Sequence, residues 1–360
     1  MGVFSTVGAD RTAVPANYKS GNACFPACYV ELYDDGRGRG AAYYLAAEEY
    51  VAAHFPRDNY LFTWIVGPTV VIGRNQSLTD ELDWPYCRSH GIDVVRRKSG
   101  GGCIYADEGN IMTSWITGPG NVTPLFAEYS EHIARSLEAA GVRVEISGRN
   151  DILLDGQRKI CGNAFYHLPE RNIVHGTMLY DTNFEHMSRA LTPDKSKLQH
   201  SGVKSVRSRI GLLKDALGMN IAELRAHLRA TLSDRTLKIS ATDNECIRRL
   251  EARYRRPDYL FGKSSPLSIK CSDYLPQCGS LVVHLGLQAD GRIETVRLTG
   301  DFFEEGDAQA AFSQALRGCR LTEESVRKAV MSTHPERSIK GLSAAALIRL
   351  LMQQTDRPTS

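Results

Sequence analysis

The spacing of hydrophobic and polar positions changes along this chain, and each change predicts an element. Residues 41–55 read as a helix carrying Leu45, Tyr50, Val51 and Ala52, with Glu48 and Glu49 forming a solvated acidic face. Short apolar runs at 62–66 and 70–72 predict two paired strands around Gly67-Pro68. The runs 92–95 and 111–116 predict one strand leading into a loop and another leading out of it. Thr123-Pro124 opens a helix whose Leu125, Phe126, Tyr129, Ile133 and Leu137 recur on one face, which we assign to the core, and Gly141 stops it.

Four further strands, 143–147, 151–155, 158–166 and 172–181, follow with only short turns between them. Turns that short make antiparallel neighbours and exclude a doubly wound parallel sheet. Gly162 and Gly176 interrupt two of these strands, which marks a bulge or a close approach to the backbone. A helix at about 221–232 completes a large domain, and Arg253-Tyr254-Arg255-Arg256-Pro257-Asp258 reads as a linker. Alternation at 281–285 and 293–298 around Asp290-Gly291 predicts a hairpin, with helices following near 307–317, 322–331 and 342–353. The expected organisation is an N-terminal extension (1–27), a large domain (28–245), a linker (246–262) and a small α+β domain (263–360). The fold class is α+β, with a mixed, mainly antiparallel sheet and flanking helices.

A chain of 360 residues exceeds one typical domain, in keeping with this division. Its 42% hydrophobic and 24% charged content is that of a globular protein. A net charge of +3 without any long Lys/Arg run argues against nucleic acid as a partner, and no apolar run is long enough to span a bilayer. The nine cysteines are odd in number and lack paired metal-ligand spacing, so reduced thiols in the cytoplasm are expected.

The chemistry concentrates at Arg96-Arg97-Lys98-Ser99-Gly100-Gly101-Gly102-Cys103-Ile104-Tyr105. Three glycines leave backbone amides bare beside clustered positive charge, which suits an anion, and Arg97 can add a bidentate fork. Taken alone, the triple glycine fits a plain turn as readily as a ligand loop.

Other segments extend the pattern: Ser147-Gly148-Arg149-Asn150-Asp151, Arg158-Lys159-Ile160-Cys161-Gly162-Asn163-Ala164, His175-Gly176-Thr177-Met178-Leu179 and Gly202-Val203-Lys204-Ser205-Val206-Arg207-Ser208-Arg209. In this order the set resembles the lipoate-protein ligase family, whose motifs run R-R-x-S-G-G-G, G-R-N-D, K-[IV]-S-G-x-A, H-G-T-L-L and K-S-V-R-S-R. The resemblance implies a biotin/lipoate ligase-like fold related to class II aminoacyl-tRNA synthetases, with a C-terminal accessory domain. It implies activation of lipoate by ATP and Mg²⁺ as lipoyl-AMP. Transfer would follow to a lysine of acceptor domains, in 2-oxoacid dehydrogenase E2 subunits and the glycine cleavage H protein.

By the same resemblance Lys159 is the catalytic lysine, and Asp151 contacts Mg²⁺ or orients that lysine. Ligand contacts are implied for Arg97, Ser99, Gly100, Gly101, Gly102, Cys103, Tyr105, Asn110, Asn150, Gly162, Ala164, His175, Gly176 and Thr177. Read without it, Lys159 is a solvated strand lysine, Asp151 and Asn110 are turn residues, and His175 is structural. Ala106, Cys161, Asn163 and Tyr166 depart from the family pattern but leave Lys159, Gly162 and Ala164 intact. Two alternatives share the fold. One is a lipoyl or octanoyl transferase working through a cysteine thioester, although 170–174 carry no thiol. The other is a biotin-protein ligase, whose glycine-rich signature differs.

Overall fold

Strand β6 (Asn110–Thr117) shows why the large domain is layered, since all eight of its residues are buried. Side chains alternate across a strand, so Ile111 and Trp115 enter one core while Met112 and Ile116 enter another. The computed structural model describes residues 27–147, 151–191, 209–261, 269–288 and 292–352. Earlier elements are β1 (Cys28–Glu31), α1 (Ala41–His54), β2 (Tyr60–Trp64), β3 (Thr69–Ile72), α2 (Leu78–Glu81), α3 (Trp84–Ser89), β4 (Asp93–Arg96) and β5 (Ile104–Ala106). After β6 come α4 (Val122–Ala139), β7 (Val144–Ser147), β8 (Asp151–Leu154), β9 (Arg158–Leu168), β10 (Arg171–Leu179) and α5 (Phe184–Ala190). Then follow α6 (Ile221–Leu232), β11 (Arg235–Lys238), α7 (Ala241–Tyr254) and α8 (Pro257–Phe261).

The main sheet runs β11-β1-β2-β6-β10-β9-β8-β7. From β2 to β7 each neighbouring pair is antiparallel, as the short turns predicted. Parallel pairing is confined in this sheet to β1, with β2 and β11. Helices α4 and α6 cover one face, and α1 and α7 cover the other.

The expected pairing of 62–66 with 70–72 does not occur. Strand β2 belongs to the main sheet, whereas β3 lies in a separate three-stranded sheet, ordered β4-β3-β5. Gly67-Pro68 is therefore a corner between sheets, and the glycine-rich loop joins β4 to β5, both bonded to β3. Of residues 246–262, expected as a linker, 246–254 complete α7 and 257–261 form α8. Tyr254 is buried there, with its hydroxyl 3.2 Å from Glu49 Oε2 and 3.4 Å from Leu45 O. Tyr254 thus closes over α1 as core rather than as exposed connection. Of residues 1–27, only Ala27 lies within the described residues.

The C-terminal part contains β12 (Ile269–Leu275), β13 (Gly279–Leu287) and β14 (Ile293–Gly300) in an antiparallel sheet, then α9 (Ala308–Leu316), α10 (Glu323–Thr333) and α11 (Ala344–Met352). Its own core contains Leu281, Val283, Leu298 and Phe312. The end of β14 and the segment after it dock on the large domain: Gly300 N donates to Asn75 O at 2.8 Å, and Gly101 N of the glycine-rich loop to Phe302 O at 3.1 Å. Phe303 stacks on Phe165 (centroids 5.4 Å apart, planes 20° apart) and joins the core of the large domain. No helix among the described residues is long and apolar enough to cross a membrane.

Candidate active site

The cavity beside the glycine-rich loop is fixed by strand register. Gly162 pairs with Thr177 and Thr177 with Met112; two residues along, Ala164 pairs with His175 and His175 with Ser114. A period of two puts Gly162, Ala164, Thr177, His175 and Met112 on one sheet face, under α1. With Gly101, Gly102 and Cys103 they border a cavity of about 110 Å³. Its walls are apolar, from Leu45, Trp64, Val71, Ile104 and Met112, while Lys159, His175 and Thr177 supply polar groups.

Lys159 owes its place to two irregularities. The β8–β9 register slips between Ile152 and Leu153, so Leu153 faces Lys159 while Ile152 faces Cys161. A bulge of this kind re-aims a side chain. A β-carbon on Gly162 would lie 2.7 Å from both Lys159 Cε and Nζ, so only glycine leaves the lysine its channel. The ammonium meets Asp151 Oδ1 at 2.7 Å, with both side chains about a third exposed, at 36% and 33%. Such a pair is weak enough to yield to an arriving anion.

Arg97 differs from the expectation of a free fork. It is buried; Nε donates to Ser99 Oγ (2.8 Å), Nη1 to Val71 O (3.0 Å), and Nη2 to Gly100 O (2.7 Å) and Gly102 O (2.8 Å). The guanidinium therefore shapes the loop from inside and offers the cavity mainly its charge. Burial pushes its pKa down to about 10, so it stays cationic at neutral pH. Gly101, at φ +86°, lies against the Phe303 ring, and Gly100 lies under Phe302 O, leaving no room for larger residues.

Behind the loop runs a buried polar chain. Ser99 Oγ lies 2.7 Å from His175 Nε2, His175 Nδ1 lies 3.1 Å from Glu48 Oε1, and Ser114 Oγ donates to Glu48 Oε1 at 2.6 Å. Trp64 Nε1 donates in turn to Ser114 Oγ at 2.8 Å. A carboxylate only accepts, so Nδ1 carries the imidazole proton and Nε2 accepts from the Ser99 hydroxyl. The chain ties helix α1 to the loop through His175. Glu48, expected on a solvated face, is fully buried, while Glu49 pairs with Lys98 at 2.7 Å. A signal was present: apolar residues surround Glu48 on every side of the helix, which marks a buried helix whose charges need partners.

Other expected contacts lie elsewhere. Tyr105 alternates with Ile104 on β5 and faces a separate core. Asn110 is buried and closes a turn by accepting from Asp107 N at 2.8 Å. Gly176 lies on the opposite sheet face, against Asn163, Tyr129 and Thr113. Asn150 lies outside the described residues, as does the segment carrying Lys195, Lys197, Lys204 and Arg207. Among the described residues that follow, Gly211 N donates to Lys159 O at 2.9 Å. The Cys161 thiol, pushed up to about 12 by burial, sits 3.1 Å from Asn163 Oδ1. No group of three or more His, Cys, Asp or Glu among the described residues could hold a resident metal ion.

Comparison with known proteins addresses the same two regions. Residues 40–233 match the lipoyl protein ligase A/B catalytic domain, and residues 265–351 the bacterial lipoate protein ligase C-terminus. Lipoate-protein ligase LplJ of Bacillus subtilis is 36% identical over 275 residues, covering 73% of this chain and 82% of LplJ. Among solved structures, P. falciparum LipL1 in complex with lipoate superposes with a TM-score of 0.71 at 18% identity, covering 85% of this chain and 94% of its own. Lipoate-protein ligase A bound with ATP gives a TM-score of 0.57 at 23% identity, covering 66% of this chain and 99% of its own. These two structural likenesses speak to the fold. The catalytic-domain match and the identity to LplJ place the chain in the lipoate-protein ligase family.

Proposed function

We propose that this ligase activates lipoate with ATP and passes the lipoyl group to a lysine of an acceptor domain. The observation that carries this reading is a lysine ammonium held at the polar end of an apolar cavity, where only glycine spares it room. The acyl chain occupies the apolar walls, and its carboxylate meets Lys159 in exchange for Asp151. Carboxylate oxygen attacks the α-phosphorus, the bond to the leaving phosphate oxygen breaks, and pyrophosphate departs. Lys159 and the charge of Arg97 stabilise the negative charge that develops. The acceptor amine then attacks the acyl carbon, loses a proton, and expels AMP.

Asp151, paired with Lys159, belongs to no metal-holding cluster among the described residues, which fits Mg²⁺ brought in by nucleotide phosphates rather than an ion bound by protein alone. Such an ion would draw charge off the phosphates. The acceptors in this reading are lipoyl domains of 2-oxoacid dehydrogenase E2 subunits and the glycine cleavage H protein, and the compartment is the cytoplasm. Cys161 is a poor thioester nucleophile, since burial keeps its thiol protonated at neutral pH, which leaves Cys103 as the thiol that borders the cavity.

Incubation with lipoate, ATP, Mg²⁺ and apo acceptor domain tests the proposal, with acylated acceptor, AMP and pyrophosphate as expected products. Equal acylation from an acylated carrier protein with ATP omitted would favour the transferase instead.

A further inference from the structure

Several walls of the cavity beside the glycine-rich loop are tied to one buried carboxylate. Glu48, fully buried on α1, lies one turn after Leu45, which forms part of the cavity wall. Its Oε1 accepts from the Ser114 hydroxyl (2.6 Å), and Ser114 Oγ accepts from Nε1 of Trp64 (2.8 Å), another wall residue. Glu48 also meets His175 Nδ1, at 3.1 Å through Oε1 and 3.2 Å through Oε2. His175 lines the cavity as well, and its Nε2 lies 2.7 Å from Ser99 Oγ.

From Ser99 the chain of hydrogen bonds runs into the loop. With Nδ1–H given to Glu48, the ring offers Ser99 only the Nε2 lone pair, so the serine hydroxyl donates to it. Its one hydrogen spent, the serine oxygen accepts from Arg97 Nε at 2.8 Å. That bond orients the guanidinium whose Nη2 holds Gly100 O and Gly102 O. In a trans peptide the carbonyl and the following N–H point in opposite directions, so the amides of Gly101 and Cys103 are turned away from Arg97. One proton position on His175 therefore sets the direction of each bond between α1 and the loop. The two ends are also opposite charges, both buried. Burial lowers the Arg97 pKa, and the Glu48 charge is among those that counter it.

We propose that Glu48 is a positioning residue for the ligase reaction: acting through His175 and Ser99, it holds Arg97 and the glycine-rich loop in the arrangement that serves the charge developing on phosphate. This role rests on the lipoate ligase reading of the site. A carboxylate suits it because a carboxylate only accepts, which leaves the ring one tautomer. A glutamine fills the same space but can face the ring with either its oxygen or its amide, and the amide demands the other tautomer. With Nε2–H then aimed at Ser99, the serine oxygen receives two donors and its own hydrogen loses its acceptor. The loop gains a second hydrogen-bond pattern, and Arg97 loses the charge that balances it.

The test uses the full chain, Glu48→Gln, Ser99→Ala and the double variant, with the His175 ring nitrogens read by long-range proton–nitrogen correlation NMR at neutral pH. The parent ring should carry its proton on Nδ1, and Glu48→Gln should populate Nε2–H. In pyrophosphate release, Glu48→Gln should lose about tenfold or more in kcat, with KM for lipoate within about threefold of the parent. A merely structural role would lower the urea midpoint and leave kcat of the folded protein intact. The double variant should be no slower than Ser99→Ala, because both residues lie on one chain of bonds. Should Glu48→Gln fail to fold, the tautomer of the parent and the kcat of Ser99→Ala, expected to fall likewise, decide the matter. An Nε2–H ring or an imidazolium in the parent, undiminished kcat in either single variant, or losses that multiply in the double variant would overturn the proposal. A parent that releases no pyrophosphate would overturn the ligase reading and this role with it, whereas an active parent with a fully active Glu48→Gln overturns this role alone.

Discussion

Replacing Gly162 by alanine should separate stability from activity in opposite directions. The new methyl would sit 2.7 Å from Lys159 Cε and Nζ, where carbon atoms ordinarily keep about 3.5–4.0 Å. The ammonium must therefore retreat by roughly an ångström, a misplacement that costs about a hundredfold in rate, or ~2.7 kcal/mol of barrier. The backbone loses nothing by the change. Gly162 is not among the glycines with positive φ, and the methyl meets only the end of a flexible side chain. Removing a glycine from the unfolded chain should raise stability by about 0.4–1 kcal/mol. Urea denaturation followed by circular dichroism reads the stability, and pyrophosphate release with saturating lipoate and ATP reads the rate. A folded variant with turnover within about threefold of the parent would refute the placement of Lys159 at the reacting centre.

Lys159→Ala should lose about a thousandfold or more in adenylation while keeping its fold, because its part-exposed pair with Asp151 contributes at most ~1 kcal/mol. Arginine at that position should rescue little; pyrophosphate release and circular dichroism check both variants. Glu48→Ala should destabilise by roughly 2–4 kcal/mol, since the Ser114 hydroxyl and the His175 ring each lose a buried acceptor; urea midpoints measure it. Cys161→Ser should leave adenylation nearly unchanged, the hydroxyl replacing the thiol beside Asn163, as the pyrophosphate assay would record. Burial pushes Cys161, Tyr43 and Tyr259 up to about 12, so the folded chain keeps these protons while the unfolded chain releases them from about pH 9–10. Stability from these groups is full below about pH 9 and is lost as pH rises from there to about 12, which urea midpoints between about pH 8 and 11 would show as a progressive fall.

Local pattern alone determined much of this protein. Turn lengths between 143 and 181 made those strands antiparallel, because a short turn cannot carry a parallel crossover. Periodicity placed α4 and α6, a run of helix-forming and apolar residues placed α1, and the ordered motifs pointed to the family. Tertiary structure decided what depends on contacts distant in sequence. Only the assembled sheet put β2 and β3 in different sheets, buried Glu48 against His175 127 residues away, and turned Arg97 inward to hold its own loop. The need for glycine at 162 likewise follows from the register slip that aims Lys159 at it. The docking of Phe302 and Phe303 on the glycine-rich loop joins residues some two hundred positions apart. Hydrophobic period records which face is buried but not what covers it, and the partners of buried charges are fixed only when the faces meet.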